Sequence, residues 1–297
     1  MMKLRTRIGV AVLTAAALTL SACGSNSLGG SSEPGGSAVP SVSSDTALAD
    51  KLPPSIKAAG KINVGSDTTY APSEYTQGSK IVGFDVDLFK AVAAKFGVTA
   101  DFHTAKFDSI IVGVSGKKYD VGVSSFTINA DRMKQVTMVS YYSAGTQWAT
   151  PAGNPKKVSL DNPCGQTIAV QTATVQQLDD LPARQKKCGS NKINILPFDK
   201  QDQATAAVAS GRAAAMLADS PVVAYAVKQA GGKLAPLGDV YAAAPYGYAL
   251  PKSETAFGEA IAEALKQLKA DGTYQQILTK WGVQQGAISE FSVNPTS

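Results

Sequence analysis

The sequence predicts an α/β protein, and three observations carry that expectation. Short apolar strand patterns alternate with amphipathic helix patterns from Ile62 to Ser125. The same alternation restarts at Thr167 and runs to Gln229. Two more helical patterns then follow a lone short strand and have no lobe of their own. Alternating strands and helices pack as sheets with helices on their faces. From Leu52 to Phe291 there are roughly 240 residues, enough for one large domain or two small lobes.

Taken in order, Ile62-Asn63-Val64-Gly65 reads as a strand. Asp85 to Phe96 reads as a helix: Leu88, Phe89, Val92 and Phe96 fall on one face, Asp85 is placed to cap the start and Gly97 the end. Ala100 to His103 is a short strand, Ser109 to Val114 part of a helix, and Val121 to Ser125 another strand. In the second half Thr167 to Val170 is a strand, Val175 to Leu181 a helix opening, and Lys192 to Leu196 a strand. Gln203 to Ser210 is a helix ended by Gly211, Ala213 to Leu217 a strand, and Pro221 to Gln229 a helix. Tyr248 to Leu250 is the last short strand. Ser253 to Ala270 is amphipathic, with Phe257, Ile261, Leu265 and Leu268 in one stripe and Ser253 as N-cap. Asp271-Gly272 stops it, and Thr273 to Trp281 is a final helix in which Tyr274 and Trp281 read as core.

The N-terminus sets the compartment. Lys3, Arg5 and Arg7 precede an apolar run from Ile8 to Leu20, followed by the small residues Ser21 and Ala22 and then Cys23. This is the layout of a cleaved secretory leader, residues 1–22, rather than of a retained membrane span. Leu20-Ser21-Ala22-Cys23 resembles the bacterial lipobox, which implies cleavage before Cys23 and lipidation of its sulfur. Ser, Gly and Pro dominate the stretch that follows, and 23–50 is expected to be a flexible tether with an r.m.s. span of roughly 25–30 Å.

Two cysteines remain, Cys164 and Cys188. An even remainder in an exported chain points to a disulfide, with two free thiols as the alternative. No zinc-binding spacing is present, since His103 is the one histidine and lies far in sequence from either cysteine. The formal charge of +5 drops to +2 once Lys3, Arg5 and Arg7 leave with the leader. The remaining basic residues are scattered singly among acids, so neither nucleic acid nor an anionic lipid surface is an expected partner.

The most informative segment is Gly116 to Arg132, GKKYDVGVSSFTINADR. A short apolar run ends in Ser124 and Ser125, then Thr127, then Arg132. That places hydroxyls and backbone at a strand end, with a guanidinium close by. A planar guanidinium matches a carboxylate with two parallel N–H donors, so the segment suits a small carboxylate-bearing ligand. A polar loop with a solvated arginine has the same pattern.

Several segments, in order, resemble the family 3 extracellular solute-binding proteins that serve polar amino-acid ABC transporters. They are DTTYAPSEY (Asp67–Tyr75), VGFDVDL (Val82–Leu88), FDSII (Phe107–Ile111), GKKYDV (Gly116–Val121), SSFTINADR (Ser124–Arg132), IAVQTAT (Ile168–Thr174), GRAAAMLAD (Gly211–Asp219) and DGTYQQILTKWG (Asp271–Gly282). The resemblance rests on their order and spacing across nearly the whole mature domain. It implies a two-lobed periplasmic-binding-protein-like (type II) fold with two crossover strands and a central cleft. Lobe 1 would comprise 51–146 and 246–297 and lobe 2 would comprise 147–245, with crossovers near Gly145–Ala149 and Pro245–Tyr248 and the last helices packed on lobe 1.

The resemblance also implies roles. Arg132 would grip a ligand α-carboxylate, helped by the backbone N–H and hydroxyl of Thr127. Ser125 would offer its carbonyl to the ammonium group. Across the cleft, Thr174 at a helix opening would add donors suited to a carboxylate, and Asp219 would pair with the ammonium. Tyr70 and Phe107 would sandwich the ligand side chain and Asp67 would meet its polar or cationic end. Without the resemblance, Thr174 reads as an N-cap, Asp219 as a surface acid, and the aromatics as core. Two departures stand out: Ser73 where the family usually has an aromatic, and Thr172-Ala173-Thr174 where it often has Gly-Thr-Thr.

The expected function is that of a lipid-anchored extracytoplasmic receptor, a monomer without cofactor, that binds an amino acid and docks on an ABC permease. A ligand-sensing lipoprotein is the alternative. An enzyme of cyclohexadienyl dehydratase type, with Glu74 as the one glutamate near the cleft wall to act as general acid, is the remote one. The identity of the amino acid is left open at this level.

Overall fold

The computed structural model describes residues 41–295, so the leader, Cys23 and most of the expected tether lie outside it. The chain is already packed at α1 (Thr46–Ala49), inside the stretch expected to be flexible. Asp45 caps this turn through the N–H of Ala47 and accepts from Gln267, and Leu48 is buried. Residues 45–49, which the sequence predicts to lie in a flexible stretch, are therefore packed on the domain by one leucine and a cap.

The elements follow as α2 (Pro54–Ala59), β1 (Lys61–Ser66), β2 (Thr69–Tyr70), β3 (Glu74–Gln77), β4 (Lys80–Val82), α3 (Phe84–Lys95), β5 (Thr99–Thr104), α4 (Phe107–Ser115), β6 (Val121–Thr127), α5 (Ala130–Gln135) and the 16-residue β7 (Val136–Pro151). Then come β8 (Thr167–Gln171), a π-helical turn (Gln176–Asp180), α6 (Leu181–Lys186), β9 (Asn194–Phe198), α7 (Gln201–Ala209), β10 (Ala215–Asp219) and α8 (Ser220–Gln229). The 18-residue β11 (Leu234–Pro251), α9 (Thr255–Ala270), α10 (Thr273–Trp281) and a short 3₁₀ turn complete it.

The main sheet has the order β5-β1-β6-β11-β7-β10-β8-β9 and divides into two halves of the same design. In each half three strands run parallel, β5-β1-β6 and β10-β8-β9, and a long antiparallel strand closes the inner side. Those long strands, β7 and β11, pair with each other along their length, from Val136 opposite Pro251 to Pro151 opposite Leu234. Register shifts between Leu237, Tyr241 and Ala244 break this ladder where the pair passes from one lobe to the other. A bulge adds local twist to the ribbon that the two half-sheets share.

Each half-sheet is covered on both faces. In lobe 1, α3, α9 and α10 bury Phe89, Phe257, Leu265 and Leu278 on one face, and α4 packs Ile110 and Val114 against Phe126 and Met138 on the other. The closing helices α9 and α10 thus share one core with Ile62, Val64 and Val121 of the β5-β1-β6 half-sheet. In lobe 2, α7 and α8 cover one face, and Trp148, Leu181 and the Cys164–Cys188 disulfide the other.

Three local expectations are corrected. Asp85 does not cap α3: Gly83 holds the cap position and Asp85 is buried inside the first turn, recruited by tertiary partners. Ser253 does not cap α9, which starts at Thr255 after Glu254. The strands expected at Lys192–Leu196 and Ala213–Leu217 sit two residues later, because pairing with β8 sets their register.

Candidate functional site

In α/β sheets ligands collect outside the carboxyl ends of parallel strands. Here β1 ends into Asp67–Tyr70, β6 at Ser124–Thr127, β8 into Thr172–Thr174 and β10 at Asp219. The two lobes touch along this line.

Tyr70 of lobe 1 donates its hydroxyl to Asp219 Oδ2 at 2.9 Å. Asp219 also accepts from Tyr246 at 2.7 Å and, on Oδ1, from Gln176 at 2.7 Å. Burial raises the Asp219 pKa, while these three donors and the Arg132 charge pull it back down. Gln176 and Tyr246 were not singled out in the sequence. Nothing local marks them, since one comes from a π-helical turn and the other from the crossover strand.

Arg132 follows Asn129, whose side chain caps α5 through the Arg132 N–H at 2.9 Å. Its guanidinium donates to the Thr127 carbonyl at 2.8 Å and, across the cleft, to the Ala173 carbonyl at 3.2 Å. It lies over the rings of Phe107 and Phe126, 5.5 Å from each centroid. Burial lowers its pKa to about 10, so it is still a cation at neutral pH. Arg132, Phe107 and Ala173 line a cavity of about 240 Å³. Tyr70 and Phe107 do not stack on each other. Phe107 stacks on Phe126 at 4.9 Å, and Tyr70 packs among lobe 2 apolar residues.

Asp67 bonds Gln171 of lobe 2 and accepts from Thr69 at 2.8 Å. Burial pushes its pKa up to about 6. It lines a cavity of about 680 Å³ whose other charged walls are Lys106, Asp199, Lys200 and Asp202. Lys106 and Asp199 themselves form a 2.6 Å ion pair across the lobes.

The hydroxyl of Thr174 is engaged within its own turn, and that of Ser125, whose expected contribution is its carbonyl, faces the interior. Ser125 Oγ faces Glu74 and Asp85, and its N–H donates to Asp85 at 3.1 Å. Thr174 Oγ1 donates to the Gln171 carbonyl at 2.8 Å and meets the Gln177 N–H at 3.3 Å, which is the N-cap geometry. The Thr172-Ala173-Thr174 departure resolves simply. Thr172 is tied to the Phe198 carbonyl, and Ala173 is the residue at positive φ, +64°. Glu74 is buried against Asp85 behind β6 and does not reach the cleft, which removes the one general-acid candidate.

The chain is similar to several amino-acid-binding proteins. The arginine-binding protein ArgT of Corynebacterium glutamicum is 32% identical over 286 residues, covering 95% of this chain and 93% of that protein. The lysine/arginine/ornithine-binding periplasmic protein of Escherichia coli strain K12 is 27% identical over 74% of this chain and 86% of its own length. Among solved structures, an ancestral arginine-binding protein bound to arginine superposes with a TM-score of 0.70 at 33% identity, covering 75% of this chain and 98% of that one. Residues 62–284, which span both half-sheets and every cleft residue described above, match a single family of binding proteins rather than enzymes. The chain belongs to the bacterial extracellular solute-binding proteins, family 3.

Proposed function

We propose that the protein is a lipid-anchored extracytoplasmic receptor that holds a basic α-amino acid, arginine first, between its lobes and passes it to an ABC permease. The observation that carries the ligand class is the sorting of charge along the cleft. A buried guanidinium, Arg132, and a buried acid, Asp219, flank its middle, and a cavity opens at one end where Asp199 is paired with Lys106 and the acids Asp67 and Asp202 stand beside Lys200. In this reading Arg132, Thr127 and the Thr174 turn hold the α-carboxylate. Asp219 and the Ser125 carbonyl take the α-ammonium, and Tyr70 and Phe107 flank the side chain. Asp67 meets its cationic end. Each ligand charge is desolvated on closure, so each needs a fixed partner. The contacts from lobe 2 supply the differential affinity that draws the lobes together. Lobe 1 comprises 51–146 and 246–297 and lobe 2 comprises 147–245, with β7 and β11 shared.

The names of the relatives support arginine, lysine and ornithine as first choices. A thermal-shift screen of the purified protein against all amino acids tests the reading. A basic amino acid at 100 times its Kd should add about 2.7 kcal/mol of stability. Stabilisation by a neutral or acidic amino acid alone would displace the basic class. Lipidation is tested separately by mass spectrometry of the mature N-terminus, where an unmodified peptide starting elsewhere than Cys23 removes the anchor.

A further inference from the structure

Glu74 and Asp85 are both 0% exposed, and neither has a part in the ligand reading above. Backbone pairing brings them together. The Asp85 N–H donates to the Ser73 carbonyl at 3.0 Å and the Phe84 N–H to the Pro72 carbonyl at 3.1 Å. Gly83 permits the approach: its φ is +141°, and a Cβ there would lie 1.9 Å from the Ser73 oxygen.

Donors are divided unequally around the two acids. Asp85 Oδ2 accepts the Tyr141 hydroxyl at 2.5 Å and the Ser125 N–H at 3.1 Å, and faces the Ser125 hydroxyl at 3.3 Å. Glu74 faces hydroxyls only, Ser124 at 3.1 Å on Oε1 and Ser125 at 3.3 Å on Oε2. No lysine, arginine or histidine forms an ion pair with either acid among the described residues. The titratable groups that face them are acidic or phenolic: Asp67 before β2, Tyr70 on β2, Tyr141 and Tyr142 on β7, and Tyr248 on β11. Both carboxyls reach the one Ser125 hydroxyl, each at 3.3 Å, and Asp85 Oδ1 has no other partner among the described residues. Two carboxyls this close in a dry site without a cation do not both ionise. Burial and the Asp85 charge hold Glu74 well above the usual carboxylate range. The donors gathered on Asp85 mark it as the anionic partner.

We infer that Glu74 is a protonated carboxylic acid that shares its proton with Asp85, and that this pair positions the Ser124–Thr127 wall of the ligand site. Ser125 has a φ of +50°, a conformation that a serine keeps only when its surroundings hold it. Asp85 holds its N–H, and the pair holds its hydroxyl. Ser124 carries the restraint onward, since its Oγ accepts the Asp67 N–H at 3.0 Å. One proton thus ties together the turn bearing Asp67, strand β3, the first turn of α3 and the end of β6. Without it, two buried anions would repel beneath the residues proposed to face the ligand. The effect on affinity rests on the amino-acid reading; the pair itself does not.

The test compares Glu74→Gln with Glu74→Ala in the purified protein. A glutamine keeps a carbonyl acceptor and puts N–H donors where the carboxylic acid has its O–H. Glu74→Gln should keep arginine affinity within about threefold of wild type, whereas Glu74→Ala should weaken it by about tenfold or more. Infrared spectroscopy above pH 7 should show a carboxylic-acid C=O band in the wild type that is missing from Glu74→Gln. Absence of that band, or its persistence in Glu74→Gln, overturns the proposal. So does a folded Glu74→Gln protein that binds as weakly as Glu74→Ala. If Glu74→Ala does not fold, the infrared comparison decides. If the wild type binds no basic amino acid, the ligand reading falls while the band still decides the pair.

Discussion

Tyr70 and Asp219 are joined in both directions across the cleft: the Tyr70 hydroxyl donates to Asp219 Oδ2 at 2.9 Å, and the Asp219 N–H reaches the Tyr70 oxygen at 3.3 Å. They lie 149 residues apart in the chain. This contact makes Asp219 sensitive to lobe closure, because one of its donors arrives only with lobe 1. Tyr70→Phe should therefore weaken closure on the ligand, by about 1–2 kcal/mol or roughly 5- to 30-fold in Kd. Calorimetric titration with arginine checks this; an unchanged Kd would show that the phenol does not count in the bound state.

Arg132 should matter most for binding. Removing one partner of a buried charge pair leaves the other desolvated, at about 2–5 kcal/mol, so Arg132→Ala should weaken binding roughly 30-fold to several thousand-fold. Asp219→Asn should have a smaller effect, because an amide oxygen still accepts a hydrogen bond. Titrations with folding checked by circular dichroism separate the two. A folded Arg132→Ala protein with wild-type affinity removes the carboxylate clamp.

Stability should fall as pH rises from 5 to 8. Burial raises the pKa of Asp67 to about 6 and also raises those of Asp219, Asp85 and Glu74. A raised acid holds its proton more tightly when folded, so its contribution is complete below the unfolded pKa and is lost as pH climbs through the folded one. The exposed acids Asp45, Asp101 and Asp131 are held low by hydrogen bonds and act in the opposite sense only below about pH 4. Thermal melts across this range give the sign, and Asp67→Asn should flatten the part near pH 6. A Tm that climbs from pH 5 to 8 would contradict the burial of these groups.

Reducing the Cys164–Cys188 disulfide should cost about 3–4 kcal/mol, the chain-entropy expectation for a separation of 24 residues. The bridge staples the loop before β8 to the end of α6, over the lobe 2 face that holds Trp148 and Leu181. Melts with and without reductant measure this, and equal Tm values would show that the lobe does not depend on the bridge.

Ala173→Gly should stabilise the protein by about 0.5–1 kcal/mol. Its φ of +64° strains an alanine but not a glycine. The Ala173 carbonyl that receives Arg132 remains in place, so arginine affinity should stay close to wild type. Chemical denaturation and titration together check both halves, and destabilisation would mean that the turn needs the methyl group.

The sequence by itself determined the α/β alternation, the cysteine pair and most elements to within a few residues. Period and punctuation are local properties, and strands such as Ile62–Gly65 and helices such as Gln203–Ser210 display them openly. It also placed Arg132, Thr127, Tyr70, Asp219 and Asp67 at element ends, once the order of motifs was set beside a known family. Tertiary structure alone decided what those residues touch. Asp85 looked like a helix cap because its position in the chain suits one; it is buried because Tyr141 and Ser125, from distant strands, take up its oxygens. The left-handed backbone of Ser125 and the two acids that its hydroxyl faces are likewise set by tertiary partners. Gln176 and Tyr246 carried no local signal, since their meeting at Asp219 depends on a crossover strand and a π-helical turn that converge only in the folded chain. Hydrogen-bond partners separated by tens of residues are chosen by the packing of sheets, which no window of sequence contains.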